Sequence, residues 1–230
     1  MTTLYIANKN YSSWSLRAWL LMTELGLPFE EKLIPFGDPA AWNAFRAEGG
    51  SGKVPALQDG GLHLWDSLAI TDHLAERHPE VWPSDPAARA WARSVCAEMH
   101  SGFPALRELC SMNIGLKVRL NSVPADLARD VERIAAIWLE GLSRFGGSFL
   151  AGDRFTAADA FFAPVVFRFE TYGLDRSPAM TEYIQHMLAQ PGMQAWASQA
   201  LEEPWVDPGH EADCVQIGDV IEDFRRLKPE

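Results

Sequence analysis

Apolar and polar positions follow two rhythms along this chain, and the point where one gives way to the other divides it. Residues 2–7 place Leu4 and Ile6 on one side of a period-two pattern, which predicts a strand. The polar run Asn8-Lys9-Asn10-Tyr11-Ser12-Ser13 then leads into Leu16, Trp19, Leu20 and Thr23, whose spacing predicts a helix over about 15–25, stopped by Gly26. Residues 29–35 predict a second strand, and 40–47 a short helix with Trp42 and Phe45 that ends at Gly49-Gly50. Val54 to Leu57 and Leu62 to Trp65 are apolar runs separated by Gln-Asp-Gly-Gly, a hairpin signal because such a turn needs residues that tolerate positive φ. A helix with Leu68, Ile70 and Leu74 follows from Ser67 to about residue 77. The predicted order is β-α-β-α-β-β-α. A right-handed crossover makes the first two strands parallel, and the hairpin adds an antiparallel edge.

Beyond this the rhythm is helical. Residues 78–86 hold Pro79, Pro83 and Pro86, which predicts a stiff, extended linker. From there to about residue 201 helices alone are expected. Trp91, Val95 and Met99 step by four, and Leu127, Val131, Ile134, Trp138 and Leu142 keep a 4-3-4-4 spacing closed by Gly146-Gly147. Thr156-Ala157-Ala158-Asp159 has the form of a capping box. The helix it opens (Phe161, Phe162, Val165, Val166, Phe167, Phe169) is apolar nearly all round, as a central helix should be, with a kink expected at Pro164. Ser177-Pro178 starts another helix, and Pro191-Gly192 separates a last one.

Composition narrows the function classes. At 230 residues, 47% hydrophobic and 22% charged, the chain can fill two cores of an ordinary globular protein. Arg17 and Glu24 interrupt the most apolar early run, and no stretch of about 20 uncharged apolar residues exists, so neither a signal peptide nor a membrane span is expected. Cys96, Cys110 and Cys214 are odd in number and lack metal spacing, which fits reduced, buried thiols and a cytoplasmic location. The histidines are scattered without ligand spacing, so no metal is expected. The net charge of −11 is uneven, with nine acids against three bases in 202–230. No basic stripe is present to neutralise phosphates, which argues against nucleic acid. The acidic tail reads as a solvated surface segment.

Candidate chemistry lies in two short stretches. Pro55 cannot donate to a ladder, so it belongs at a strand start, and Val54–Pro55 is a candidate cis bond. The sharp turn it makes would leave the Val54 backbone facing a cleft, where an extended peptide could pair with it. Asp66-Ser67 opens a helix, whose free N–H groups and dipole favour a carboxylate. The second stretch, Tyr11-Ser12-Ser13-Trp14-Ser15-Leu16-Arg17, lies where the first strand hands over to the first helix. Its serines are equally suited to helix capping.

Lys53-Val54-Pro55-Ala56-Leu57 with Asp66-Ser67 at a helix start, an α/β half followed by a helical half, and a Thr-x-x-Asp cap on the central helix together resemble the cytosolic glutathione S-transferases over roughly residues 3–200. That resemblance implies a thioredoxin-like α/β domain (1–79), a linker (80–86), an all-α domain forming the electrophile pocket (87–203) and an acidic tail (204–230) with no family counterpart. Glutathione is then the co-substrate and the partner a small electrophile. Because no cysteine occupies the 11–17 loop, the reactive sulfur is the ligand's. The Ser-Ser-x-Ser-x-Arg run looks like the zeta-class motif Ser-Ser-Cys-Ser-x-Arg, which assigns thiolate donation to Ser12, with Ser13 next. Val54, after which Pro55 sets the turn, pairs the cysteinyl backbone of glutathione; Asp66 and Ser67 hold the γ-glutamyl end, and Lys53 meets a carboxylate. Trp14 replaces the motif's cysteine, Gly-Gly-Ser-Gly replaces the usual Asn-Pro, and Asp66 is shorter than the common Glu or Gln. Tyr5 and Tyr11 are rival thiol partners. Trp42 and His63 read as packing residues, and Glu98, Met99, His100 and Phe103 as either cleft or core. The implied activity is glutathione conjugation in a homodimer. A glutathione-dependent isomerase of the maleylacetoacetate type, or a non-catalytic binding module on the same fold, are the alternatives.

Overall fold

The computed structural model describes residues 2–48 and 50–225; Gly49, read above as part of a helix stop, and residues 226–230 of the acidic tail lie outside the described residues. The first half is a mixed four-stranded sheet in the order β2-β1-β3-β4. β1 (Thr3–Ile6) runs parallel to β2 (Glu30–Leu33), while β3 (Ala56–Asp59) is antiparallel both to β1 and to β4 (Leu62–Trp65). Gly60 and Gly61, with φ of 56° and 89°, make the hairpin turn between β3 and β4 in the left-handed region that side chains avoid. α1 (Ser13–Glu24), α2 (Pro39–Ala47) and α3 (Ser67–Ala75) complete the half. This is the thioredoxin-like arrangement that the pattern predicted, with α1 starting earlier than the helical spacing indicated.

The second half holds α4 (Pro86–Ser101), α5 (Pro104–Leu109), α6 (Ala125–Phe145), α7 (Ala157–Tyr172), α8 (Pro178–Leu188) and α9 (Pro191–Glu202). The capping box forms at α7, where the Thr156 N–H donates to Asp159 Oδ2 at 3.0 Å, and Asp159 Oδ1 separately accepts the Leu150 N–H at 2.9 Å. Burial lifts the Asp159 pKa to about 6. α7 is buried nearly all round and runs on past Pro164 to Tyr172. Its Phe161, Phe162 and Phe169 join Trp138 of α6 and Leu16 and Leu20 of α1 in one apolar core spanning both halves. The connecting stretch is only partly a spacer, since Pro79–Val81 forms a 3-10 turn and Val81 and Trp82 are buried in that core.

Two expectations fail in the second half. It is not helical throughout, because β5 (Leu116–Leu120) pairs antiparallel with β6 (Gly218–Asp223). Leu116 and Val118 alternate with Lys117 and Arg119, a period-two signal too short to stand out among helices, and its partner strand lies in the acidic segment. That segment is also more than a solvated tail. α10 (Pro208–Ile217) buries Cys214, and Arg225 beyond β6 keeps only 8% of its side chain exposed. Glu202, Asp219, Glu222 and Asp223 are exposed, while Glu203, Glu211 and Asp213 bond to the body of the protein as the segment packs across the β1–α1 loop.

Candidate active site

The β1–α1 loop is held rigidly before any ligand arrives. Glu203 accepts the backbone N–H of Lys9 at 2.7 Å and that of Asn10 at 3.2 Å. Burial raises its pKa above the usual carboxylate range. The Asn10 side chain donates to Asn113 at 3.0 Å and accepts the Gly115 N–H at 2.7 Å. Trp196 donates to the Lys9 carbonyl at 2.8 Å. Next in the chain, Ser12 occupies the position before α1 without capping it. Its Oγ lies 2.7 Å from Ser15 Oγ, and Ser15 Oγ accepts the Ala7 N–H at 3.1 Å. Either hydroxyl can be the donor in this contact, and the arrangement in which Ser15 donates leaves the Ser12 proton for whatever enters the cleft. Sequence reading missed Ser15.

The rival tyrosines are occupied. The Tyr5 hydroxyl is bound to Glu48 and lies in a separate small cluster with Ile34 and Phe45. The Tyr11 hydroxyl donates to Glu211 at 2.8 Å, and burial followed by that contact raises its pKa to about 12. A phenol that already donates to a carboxylate cannot readily donate to a sulfur as well.

A cavity of about 500 Å³ is lined by Trp14, Ser51, Lys53, Val54, Pro55, Trp65, Asp66 and Ser67. The Val54–Pro55 bond is cis, and Val54 lies before β3, outside both ladders. Asp66 has a φ of 77°, rare for a residue with a side chain. It caps α3 through the Leu68 N–H at 2.8 Å and pairs with His100 at 3.2 Å. The Ser67 Oγ is buried with no hydrogen-bond partner among the described residues. An orphan hydroxyl costs free energy unless a ligand answers it. Lys53 is exposed at the rim.

A second cavity, of about 410 Å³, shares Trp14, Lys53 and Val54 with the first. Ser12 and Ser13 stand on it together with Arg107, Ser111, Met112, Arg168 and His210. Its roof comes from the C-terminal segment. His210 Nδ1 is 2.5 Å from Asp207, and its ring stacks on Phe36 at 5.6 Å and packs tilted on Tyr11 at 5.0 Å. Trp42, read as packing, stacks on Phe36 and lines this cavity, whereas His63 is exposed on β4. Glu98 pairs with Arg133 on the surface, Met99 and Phe103 are core, and only His100 of that group reaches the site, edge-on to Trp14 at 5.2 Å.

The family model for the glutathione S-transferase N-terminal domain matches residues 11–77, and that for the glutathione S-transferase C-terminal domain matches 123–186, together more than half of the chain. The chain belongs to the glutathione S-transferase family. Among curated relatives, a probable maleylacetoacetate isomerase of Caenorhabditis elegans is 28% identical, covering 77% of this chain and 83% of its own length. The glutathione S-transferase GstB of Escherichia coli K12 is 27% identical over 90% of this chain and 96% of its own. Among solved structures, a glutathione transferase homologue from Burkholderia with bound glutathione superposes with a TM-score of 0.63 at 24% identity, over 86% of this chain and 97% of that one. In this glutathione S-transferase, the residues singled out from sequence converge. Ser12, Ser13, Lys53 and Val54 share one cavity, and Val54, Pro55, Asp66 and Ser67 share the adjoining one. What sequence reading missed is the far wall, from Arg107, Arg168 and His210, which no local motif announces.

Proposed function

We propose that this transferase ionises glutathione through Ser12 and directs the thiolate at a small electrophile in the adjoining cavity. The observation that carries the reading is the Ser12 hydroxyl at the start of α1, on the wall of the second cavity and 2.7 Å from Ser15 Oγ, which accepts the Ala7 N–H; with Ser15 donating to Ser12, the Ser12 proton is left for the sulfur. A positioned O–H donor and the helix dipole both favour an anion there. Val54 offers its backbone to the cysteinyl residue, the Ser67 hydroxyl and the α3 N-terminus take the γ-glutamyl carboxylate, and Asp66 takes its amino group. Lys53 meets the glycyl carboxylate, and Ser13 is the alternative donor. The bound thiol should titrate well below a free thiol's value of about 8.5. Ser12→Ala should raise that value and cut turnover near neutral pH by about 10- to 1000-fold, with glutathione affinity nearly unchanged. Thiolate absorbance titrated on the purified protein checks it. Wild-type ionisation in Ser12→Ala with loss in Ser13→Ala would move the role one residue along.

The isomerase reading is favoured by the Caenorhabditis relative and by the Ser-Ser-x-Ser-x-Arg run. An isomerase returns glutathione, so free thiol measured before and after turnover separates the two. We further propose a cytoplasmic, detoxifying homodimer in which the first half of one subunit meets the helical half of the other. Its supports are the exposed Leu62 and Trp65 on the edge strand β4 and the frequency of closed two-fold assemblies. Light scattering at about the monomer mass of 25.6 kDa across micromolar concentrations would contradict the dimer.

A further inference from the structure

The Asp207–His210 pair brings to the second cavity a basic nitrogen that glutathione conjugation does not use. Asp207 caps α10, and its carboxylate accepts the His210 backbone N–H at 3.1 Å and lies 2.5 Å from the His210 Nδ1. Burial works against that carboxylate, but the bonds from His210 hold its pKa below the usual range, so it is an anion at neutral pH. An ionised carboxylate only accepts, so Nδ1 carries the proton toward it. In the neutral ring the lone pair then sits on Nε2, which has no partner among the described residues. Tyr11 and Phe36 both pack on the imidazole and fix its plane, and the ring lines the cavity.

Two other groups on this cavity suit acyl transfer. Arg168 is 4% exposed; its Nε donates to the Cys110 carbonyl at 2.7 Å and its Nη1 to the Pro164 carbonyl at 3.3 Å, while Nη2 has no acceptor among the described residues. Ser12 stands where the reading above places a sulfur anion. A base, a cation for a developing oxyanion and a donor for a departing thiolate thus share one space of about 410 Å³. Attack of a thiolate on an electrophile needs only the last of them.

We propose that the protein also hydrolyses thioesters of glutathione, with His210 as the general base toward water. The inference rests on the glutathione reading above and gives that site a second reaction. With the glutathione moiety in the first cavity, the acyl carbon is one bond from the sulfur and enters the second, where Trp14, Phe36 and Trp42 suit an aromatic acyl group. His210 Nε2 takes a proton from water as the water oxygen bonds to the thioester carbon. The carbonyl electron pair moves onto its oxygen, where Arg168 meets the charge. When the carbonyl re-forms, the carbon–sulfur bond breaks with its pair on sulfur at Ser12, and His210 returns its proton to that thiolate. The products are a carboxylic acid and glutathione, and nothing is oxidised or reduced.

The probe is S-benzoylglutathione, whose acyl group carries no charge, with thiol release compared with the uncatalysed rate. S-benzylglutathione, a thioether that water does not cleave, reports binding by calorimetry and shows that each variant is folded. The wild type should release glutathione and benzoate in equal amounts, at least about 100-fold faster than solution. His210→Phe keeps an aromatic ring against Phe36 and Tyr11 and should lose about 100-fold of the rate or more. His210→Gln keeps a polar group beside Asp207 and should be equally slow. A wild type that binds S-benzylglutathione yet leaves the thioester intact overturns this proposal alone, and so does either variant hydrolysing at the wild-type rate. Failure to bind S-benzylglutathione overturns the glutathione reading together with it.

Discussion

The two walls of the cleft are built in opposite ways. The wall proposed to hold glutathione comes, Trp14 apart, from one short stretch, Ser51 to Ser67, in which a proline-preceded strand, a hairpin and a helix start place backbone groups and two serines around a cavity. The opposite wall draws Arg107 from α5, Arg168 from α7 and His210 from α10. Backbone donors are fixed by chain path and need few particular side chains. Long side chains from separate helices are fixed only by packing. A site made the first way recognises a constant ligand, and one made the second way can change its ligand by changing side chains while the fold stays as it is.

That contrast can be broken experimentally. The largest effect is expected at Ser67. Ser67→Ala removes the orphan hydroxyl from the wall proposed to hold glutathione and should weaken glutathione by about 10-fold or more, leaving the KM for the second substrate nearly unchanged. Titration calorimetry beside steady-state kinetics reads both. A comparable loss on both sides would show the walls to be one coupled unit.

Glu203 comes next, because it ties the helical half to the β1–α1 loop. Its folded pKa is raised, so the stability linked to its titration is fully present below the unfolded pKa of about 4.3 and is lost as pH rises through the folded value. Glu203→Gln should destabilise by about 1–2 kcal/mol, and its melting temperature should lack that part of the wild-type pH dependence. Thermal melts from pH 4 to pH 8 test this, and parallel curves for the two proteins would contradict it.

The smallest effect is expected at Tyr11, whose hydroxyl donates to Glu211 of the C-terminal segment. Tyr11→Phe should change thiolate formation by less than about twofold and cost about 1 kcal/mol of stability for the lost hydrogen bond. A large rise in the thiol pKa would restore Tyr11 as the donor.

The same contrast explains what could be read from sequence. Strand and helix order in the first half was legible because Leu4, Ile6, Leu16 and Leu20 mark buried faces at clean periods. Val54, Pro55, Asp66 and Ser67 were legible because turn chemistry and a helix start are local events. Ser12 stands out by its position in a motif, while Ser15, 2.7 Å from it, looks like any helical serine. Arg107 and Arg168 carried no signal, since an arginine on a helix usually reads as a solvated one and only tertiary packing brings it to a cavity wall. β5 escaped for a related reason: its pairing partner lies beyond α10, and five residues of alternation mean little without that partner.

The contact between Tyr11 and Glu211 joins residues 200 apart in sequence, and this bears on the time course of folding. Closing so long a loop costs more chain entropy than any contact within the hairpin, although the cost grows only slowly with length. Such contacts form late, after local helices and the β3–β4 hairpin have reduced the search. The glutathione wall should therefore acquire protection from hydrogen exchange early in refolding, while the α10–β6 strap seals only when the chain has otherwise found its shape. For an interval the protein would hold its constant ligand before it could discriminate among the variable ones.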